Sequence, residues 1–177
     1  MSLKIVLDST SDLVPELLGK FEIVPLTVNF GEEEFIDGVT ITREEFYAKL
    51  IESDVIPTTS QASPEAFERV FKKLVENGDE VLCITVASKL SGTYQSACIA
   101  ADGLEDRIFV VDTRAVSVAE KLLLDYAIAL RNHGADAREI ASKLEKKKED
   151  IRVFGAVETL EYLIKGGRLS KAAGAVG

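Results

Sequence analysis

The sequence predicts an α/β fold, a mostly parallel sheet flanked by helices, on three observations. Short, near-continuously apolar runs such as Val81-Leu82-Cys83-Ile84-Thr85-Val86 alternate with helical patterns, as strands buried on both faces require. Polar loops bound these runs and lead into helix starts, the arrangement of a parallel sheet covered by helices. The 177 residues, 46% hydrophobic and 29% charged, suffice to bury a sizeable core and lack the composition of a disordered chain.

Leu3 to Leu7 is the first strand and ends in Asp8-Ser9-Thr10-Ser11-Asp12. Leu13, Leu17 and Leu18 then indicate a helix with Pro15 in its first turn, capped by Ser9 or Ser11. Ile23 to Phe30 reads as a strand that Gly31 turns into a hairpin through Phe35 and Ile36. Thr42-Arg43-Glu44-Glu45 has capping-box spacing and opens a helix with the apolar stripe Phe46, Leu50, Ile51. Ser63 caps the next helix, with Pro64 at its first position and Gly78 past its end, which leaves Thr58, Thr59, Ser60 and Gln61 outside.

Val81 to Val86 is a strand, Gly92 to Ala101 a helix, Ile108 to Val111 a strand, and Val116 to His133 a long helix stopped by Gly134. Asp136 caps a further helix reaching Lys148, and Val153 to Val157 is read as the following strand. The closing "GGRLSKAAGAVG" begins what reads as one more helix. Residues 1–150 are therefore expected to form an α/β domain and residues 151–177 the start of a second, incomplete one, so that the chain is a portion of a longer protein.

Charge and motifs exclude several functions. With 21 basic and 30 acidic residues the net charge is -9, which repels a polyanion and argues against nucleic acid. No apolar run is long enough to span a bilayer. Cys83 and Cys98 read as reduced thiols, and "MSLKIVLDST" enters a strand with no signal region, so a cytoplasmic location is expected. Neither a serine-hydrolase elbow nor a P-loop, dinucleotide or zinc-protease motif occurs. His133 falls at a helix end, where a cation suits the dipole. Asp8 and Asp112 both end strands and could share a metal, although a strand-end Asp more often bonds nearby amides and hydroxyls.

Three hydroxyl clusters lie where a parallel sheet places its ligands, beyond the carboxyl ends of the strands. They are Ser9-Thr10-Ser11, Thr58-Thr59-Ser60, and Ser88 with Ser91 and Thr93 around Gly92. A single cap would suffice before the helix of Thr93, and the helix after Thr59 and Ser60 already has Ser63. The surplus hydroxyls, a close-approach glycine and unpaired helix amides make an anion cradle without a lysine. The alternative is an enzyme for a small anionic substrate, with Ser91 or Ser9 as nucleophile and Lys89 as base.

Four stretches in order, "KIVLDSTSDL", "TTSQASP", "SKLSGTYQSA" and "EYLIKGGRLSK", resemble the DegV family of bacterial fatty-acid-binding proteins, including those of thermophiles. The resemblance implies a two-domain α/β protein that holds one long-chain fatty acid, such as palmitate or stearate, and uses no other cofactor. It makes Thr59, Ser60, Ser91, Gly92 and Thr93 the carboxylate ligands and puts Arg168 in the surrounding polar network, while Ser9, of the first hydroxyl cluster, is a further ligand-binding candidate. The acyl chain would fill a buried apolar tunnel. The protein would be a carrier and not a catalyst, and a partner fatty-acid kinase would phosphorylate the bound acid.

Overall fold

A computed structural model of the chain describes residues 2–13, 17 and 19–169. The helix expected around Pro15 and the stretch after Leu169 lie outside the described residues. Among the described residues seven strands are formed: β1 (Leu3–Asp8), β2 (Glu22–Val24), β3 (Thr27–Phe30), β4 (Glu33–Ile36), β5 (Thr58–Ser60), β6 (Glu80–Thr85) and β7 (Ile108–Asp112). Four make a parallel sheet in the order β2-β1-β6-β7, with Val6 opposite Cys83 and Cys83 opposite Val110.

The other three make an antiparallel sheet, β4-β3-β5, that sequence periodicity did not separate from the first. The single strand expected over residues 23–30 is cut at Pro25. Proline has no N–H to continue a ladder, so Val24 pairs in the parallel sheet and Thr27 in the antiparallel one.

The α-helices whose bounds lie among the described residues are α1 (Arg43–Glu52), α2 (Pro64–Glu76), α3 (Thr93–Ala100), α4 (Val118–Asn132), α5 (Ala137–Lys147) and α6 (Glu161–Lys165). Thr42 and Glu45 close the expected capping box on α1. Ser63 caps α2 by accepting from the Ala66 amide at 3.2 Å, and Asp136 caps α5 through the Glu139 amide at 2.8 Å.

Because side chains alternate along a strand, the parallel sheet feeds two separate cores. Val6, Val81 and Cys83 pack with Phe67, Phe71 and Leu74 of α2 and Ala97 of α3. Ile5, Leu7, Leu82 and Ile84 face the other way, onto Leu123, Leu124 and Ala127 of α4 and Ile140 and Leu144 of α5. This is why the strands read as unbroken apolar runs.

The apolar stripe of α1 is covered only in part: Phe46 packs on Phe30, but Ile51 is 83% exposed. The strand expected over residues 153–157 is absent; no pairing partner occurs for it among the described residues, and Phe154 is 93% exposed. An apolar run supplies the side chains of a strand, but the ladder needs a neighbour's backbone.

Candidate ligand-binding site

The carboxyl ends of β1, β6 and β7 converge on one side of the parallel sheet, and their loops are tied down by the strand-end aspartates. Asp112 accepts from the Ser88 amide at 3.1 Å, the Ser88 hydroxyl at 2.6 Å and the Arg114 amide at 2.9 Å. Partial burial pushes the Asp112 carboxyl up, but these bonds and the charge of Lys148 outweigh it and hold it below the usual carboxylate value. Lys148, whose side chain is buried, donates to the Asp112 carbonyl at 2.8 Å. Asp8 accepts from the Thr10 amide, the Thr10 hydroxyl and the Val86 amide, at 2.9, 2.6 and 2.8 Å. Each aspartate is thus engaged by nearby amides and hydroxyls, and among the described residues no cluster of three or more metal-ligating side chains occurs.

Between these anchors the chain runs from Val86 to α3. The Leu90 and Ser91 amides both turn back to the Ala87 carbonyl, at 2.9 and 3.2 Å. The Ser91 and Thr93 hydroxyls lie 2.9 Å apart, and the Thr93 amide donates to Ser91 Oγ at 3.3 Å. Thr93 is fully buried, Ser91 half-buried. Ser91 therefore faces a hydroxyl and not a base, and His133 sits at the end of α4 with Nδ1 2.7 Å from the Ala129 carbonyl.

The second motif reaches this loop through a residue that sequence reasoning did not single out. A Cβ on Gly92 would lie 1.9 Å from Gln61 Oε1 and 2.6 Å from Gln61 Cδ, so the glutamine side chain lies on the glycine. Its Nε2 donates to the buried Ser96 hydroxyl at 2.8 Å, one turn into α3. Gln61 thereby locks the end of β5 to the start of α3. Thr59 and Ser60, just before it, are exposed and held in register by β3, where Thr59 is opposite Val28 and Ser60 opposite Thr27. The visible signal was a glutamine left outside its helix, directly after the hydroxyl run.

Arg168 also arrives: its Nε donates to the Leu90 carbonyl at 3.2 Å, and its Nη1 to the Gly166 carbonyl at 2.6 Å. Ser9 is placed differently. Its hydroxyl accepts from the Leu26 amide at 3.1 Å, and it lines a cavity of about 460 Å³ with Leu13, Ile23, Pro25, Val39 and Arg43. The other six candidates do not line that cavity. Asp8 caps the Ser9–Ser11 turn through the Thr10 amide, and Ser11 donates to the Asp8 carbonyl at 2.9 Å, whereas the helix that Ser9 or Ser11 was expected to cap lies outside the described residues. The uncharged α3 turns Thr93, Ser96 and Ala97 inward and leaves Ile99 55% exposed.

Beneath the loops lies a pair of buried carboxyls. Glu120, in the first turn of α4, is fully buried, and its Oε2 is 3.4 Å from the Thr10 hydroxyl that also bonds Asp8. Burial and the charge of Asp8 push Glu120 up to about 9. Its sequence signal was its spacing: Glu120 precedes Leu123, Leu124 and Ala127 on the helical period that the core uses. Among the described residues no helix is long and apolar enough to cross a membrane.

Known proteins share both chain and geometry. A DegV family model, described as "Uncharacterised protein, DegV family", matches residues 2–177. The DegV domain-containing protein CA_C0701 of Clostridium acetobutylicum is 40% identical over 99% of this chain and 64% of its own length. Its counterpart TTE1491 of Caldanaerobacter subterraneus is 41% identical over 98% of this chain and 62% of its own. The fold superposes with a TM-score of 0.86 on a fatty-acid-binding DegV protein of Thermus thermophilus, 40% identical over 97% of this chain and 62% of that one. A stearic-acid-binding protein of Eubacterium ventriosum gives 0.83 at 37% identity, over 98% and 62%. The chain thus spans under two thirds of the length of these relatives. A family model matched over residues 2–177, relatives about 40% identical over nearly the whole chain and a shared fold make this chain a member of the DegV family.

Proposed function

We propose that the chain binds one long-chain fatty acid, of the palmitate or stearate type, and carries it without acting on it chemically. The carboxylate rests on the hydroxyls of Ser91 and Thr93 and the Gly92 amide, with Thr59 and Ser60 approaching from β5. Arg168 and Ser9 belong to the polar surroundings. The observation that supports this reading is Gln61, which lies on Gly92 and bonds Ser96, and so ties the strand of the first hydroxyl motif to the helix start that carries the second. The relatives of Thermus thermophilus and Eubacterium ventriosum, described as binding fatty acid and stearic acid, support the ligand class.

The energetics fit that class. Each buried methylene contributes about 0.8 kcal/mol, so the acyl chain supplies most of the affinity and the headgroup fixes orientation. The acyl chain occupies an apolar tunnel between the domain of residues 1–150 and a second domain that begins within residues 151–177. Charge-assisted bonds from hydroxyls and amides hold a carboxylate without a fixed counter-charge. Its oxygens stay reachable for a phosphoryl donor, and in this reading a cytoplasmic kinase phosphorylates the bound acid.

Mass spectrometry of an organic extract of the purified protein tests the reading. A long-chain fatty acid is expected, and the double variant Thr59→Ala, Ser91→Ala retains it at least about tenfold less well, since each bond to a charged group contributes about 1.5–3 kcal/mol. An extract holding only phosphorylated sugars or nucleotides overturns it.

A further inference from the structure

We propose that Glu120 is a positioning residue that carries a proton in the folded chain, and that this proton, passed through Thr10 to Asp8, ties together the two loops beside the carboxylate cradle. The argument is a count of protons. Thr10 has one hydroxyl hydrogen and two carboxyl neighbours, Asp8 Oδ1 at 2.6 Å and Glu120 Oε2 at 3.4 Å. The shorter contact takes it. The longer one can then be a hydrogen bond only if Glu120 supplies the hydrogen and Thr10 Oγ1 accepts it.

An ionised Glu120 would instead have two acceptor oxygens in a fully buried site, one facing a hydroxyl already committed and the other, Oε1, without a partner among the described residues. Asp8 stands differently. Burial pushes the Asp8 carboxyl up too, but Asp8 accepts from the Thr10 amide, the Thr10 hydroxyl and the Val86 amide, which favour its charged form, so the negative charge belongs on Asp8 and the proton on Glu120. The resulting chain runs from Glu120 through Thr10 and Asp8 to the Val86 amide. It joins α4 to the Ser9–Ser11 turn, and that turn to the loop that leads to Ser91.

The titratable groups that act on this pair are Asp8 at the end of β1, Asp37 after β4 and Cys83 in β6, each anionic when ionised. They disfavour a second charge. Burial and Asp8 lift the Glu120 carboxyl from 4.5 to about 9. Between those values the folded chain keeps a proton that the unfolded chain has lost. The stabilisation is whole below about pH 4.5 and is lost as pH rises through about 9, by about tenfold in the folding constant per pH unit.

The role of the loops rests on the fatty-acid reading, whereas the protonation of Glu120 does not, and one pH series separates them. The full chain, lipid-free and loaded with stearate, is followed from about pH 6 to about pH 10 as wild type and as Glu120→Gln, with the Glu120 carboxyl read by carbon NMR in the wild type. The carboxyl is expected to titrate far above the ordinary glutamate range. Wild-type stability and stearate retention fall together as pH rises, while E120Q, neutral and able to donate to Thr10, holds its own neutral-pH levels. A carboxyl titrating in the ordinary range overturns the proposal even where E120Q fails to fold, and so does an E120Q profile that slopes like the wild type. A shifted carboxyl in a chain that takes up no stearate at any pH upholds the proton and overturns the part given to the loops.

Discussion

Gly92→Ala tests the junction on which the cradle depends. The added Cβ would sit 1.9 Å from Gln61 Oε1, 2.6 Å from Cδ and 2.9 Å from Nε2, so its three nearest neighbours all belong to one exposed, flexible side chain. Gln61 therefore swings away and the backbone stays. The move breaks the 2.8 Å bond to Ser96, whose side chain is buried. Stranding a buried hydroxyl costs about 1–3 kcal/mol, and the low end applies because a helical serine can turn to a carbonyl one turn back. The backbone at Gly92, φ -74 and ψ 3, suits alanine, and the stiffer unfolded chain returns about 0.4–1 kcal/mol. Alanine is also the poorer N-cap, which offsets that gain. The net loss is about 1 kcal/mol, a fall in Tm of about 2–4 °C for a chain of this size. Stearate binding suffers more, by about tenfold, because β5 and α3 are no longer locked together. Thermal melts and a stearate titration of Gly92→Ala, Gln61→Ala and the double variant decide it. The double variant should be no worse than Gln61→Ala, since the colliding side chain is already gone. Additive losses, or stearate bound by Gly92→Ala as tightly as by the wild type, refute the reasoning.

Three further outcomes follow from the same geometry. Phe71→Ala empties a fully buried site beside Phe67 and α3 and is expected to cost about 3–5 kcal/mol in a denaturant titration. Thr42→Ala removes the acceptor of the Glu45 amide and one half of the capping box, for a loss of about 1 kcal/mol read as a lower Tm. Burial pushes the Cys83 thiol well up, and the half-buried Cys98 up as well, so a thiol reagent labels Cys98 first and reaches Cys83 only on unfolding.

Capping and turn chemistry were legible because they are local. Thr42, Ser63, Gly78, Gly134 and Asp136 all act where their spacing placed them, since a cap answers to amides two or three residues away. The β3–β4 hairpin of the antiparallel sheet was legible from Gly31 and its flanking apolar residues, but the third strand of that sheet was not. Thr58–Ser60 has the composition of a loop and becomes a strand only because β3 offers it an edge, a partner distant in sequence. Residues 153–157 fail for the converse reason, with strand-like side chains and no edge among the described residues. In the site, hydroxyl surplus pointed to Ser91 and Thr93, which the structure puts in contact. It could not tell Ser9, which lies in a cavity wall, from the rest, nor find Gln61, whose part depends on Gly92 lacking a Cβ.

The buried acid and the uncharged cradle answer the same electrostatic problem. If a chain of net charge -9 is to accept a carboxylate, as proposed, it needs donors whose attraction is not cancelled by anions behind them. Asp8 is such an anion, but its charge is absorbed by two amides and a hydroxyl. Were Glu120 ionised, a second charge would stand at the first turn of α4, buried and poorly screened, and would act against any anion at the neighbouring strand ends. Its proton removes that charge while keeping the bond to Thr10. A lysine would attract the ligand more strongly, yet under the proposed hand-over to a kinase it would also hold the carboxylate oxygens fast. Neutral donors in front and a neutral acid behind give orientation without that trap. On this argument Glu120→Gln should be tolerated at neutral pH, whereas Glu120→Lys, which puts a buried cation against Asp8, should cost the fold before it gains any lipid.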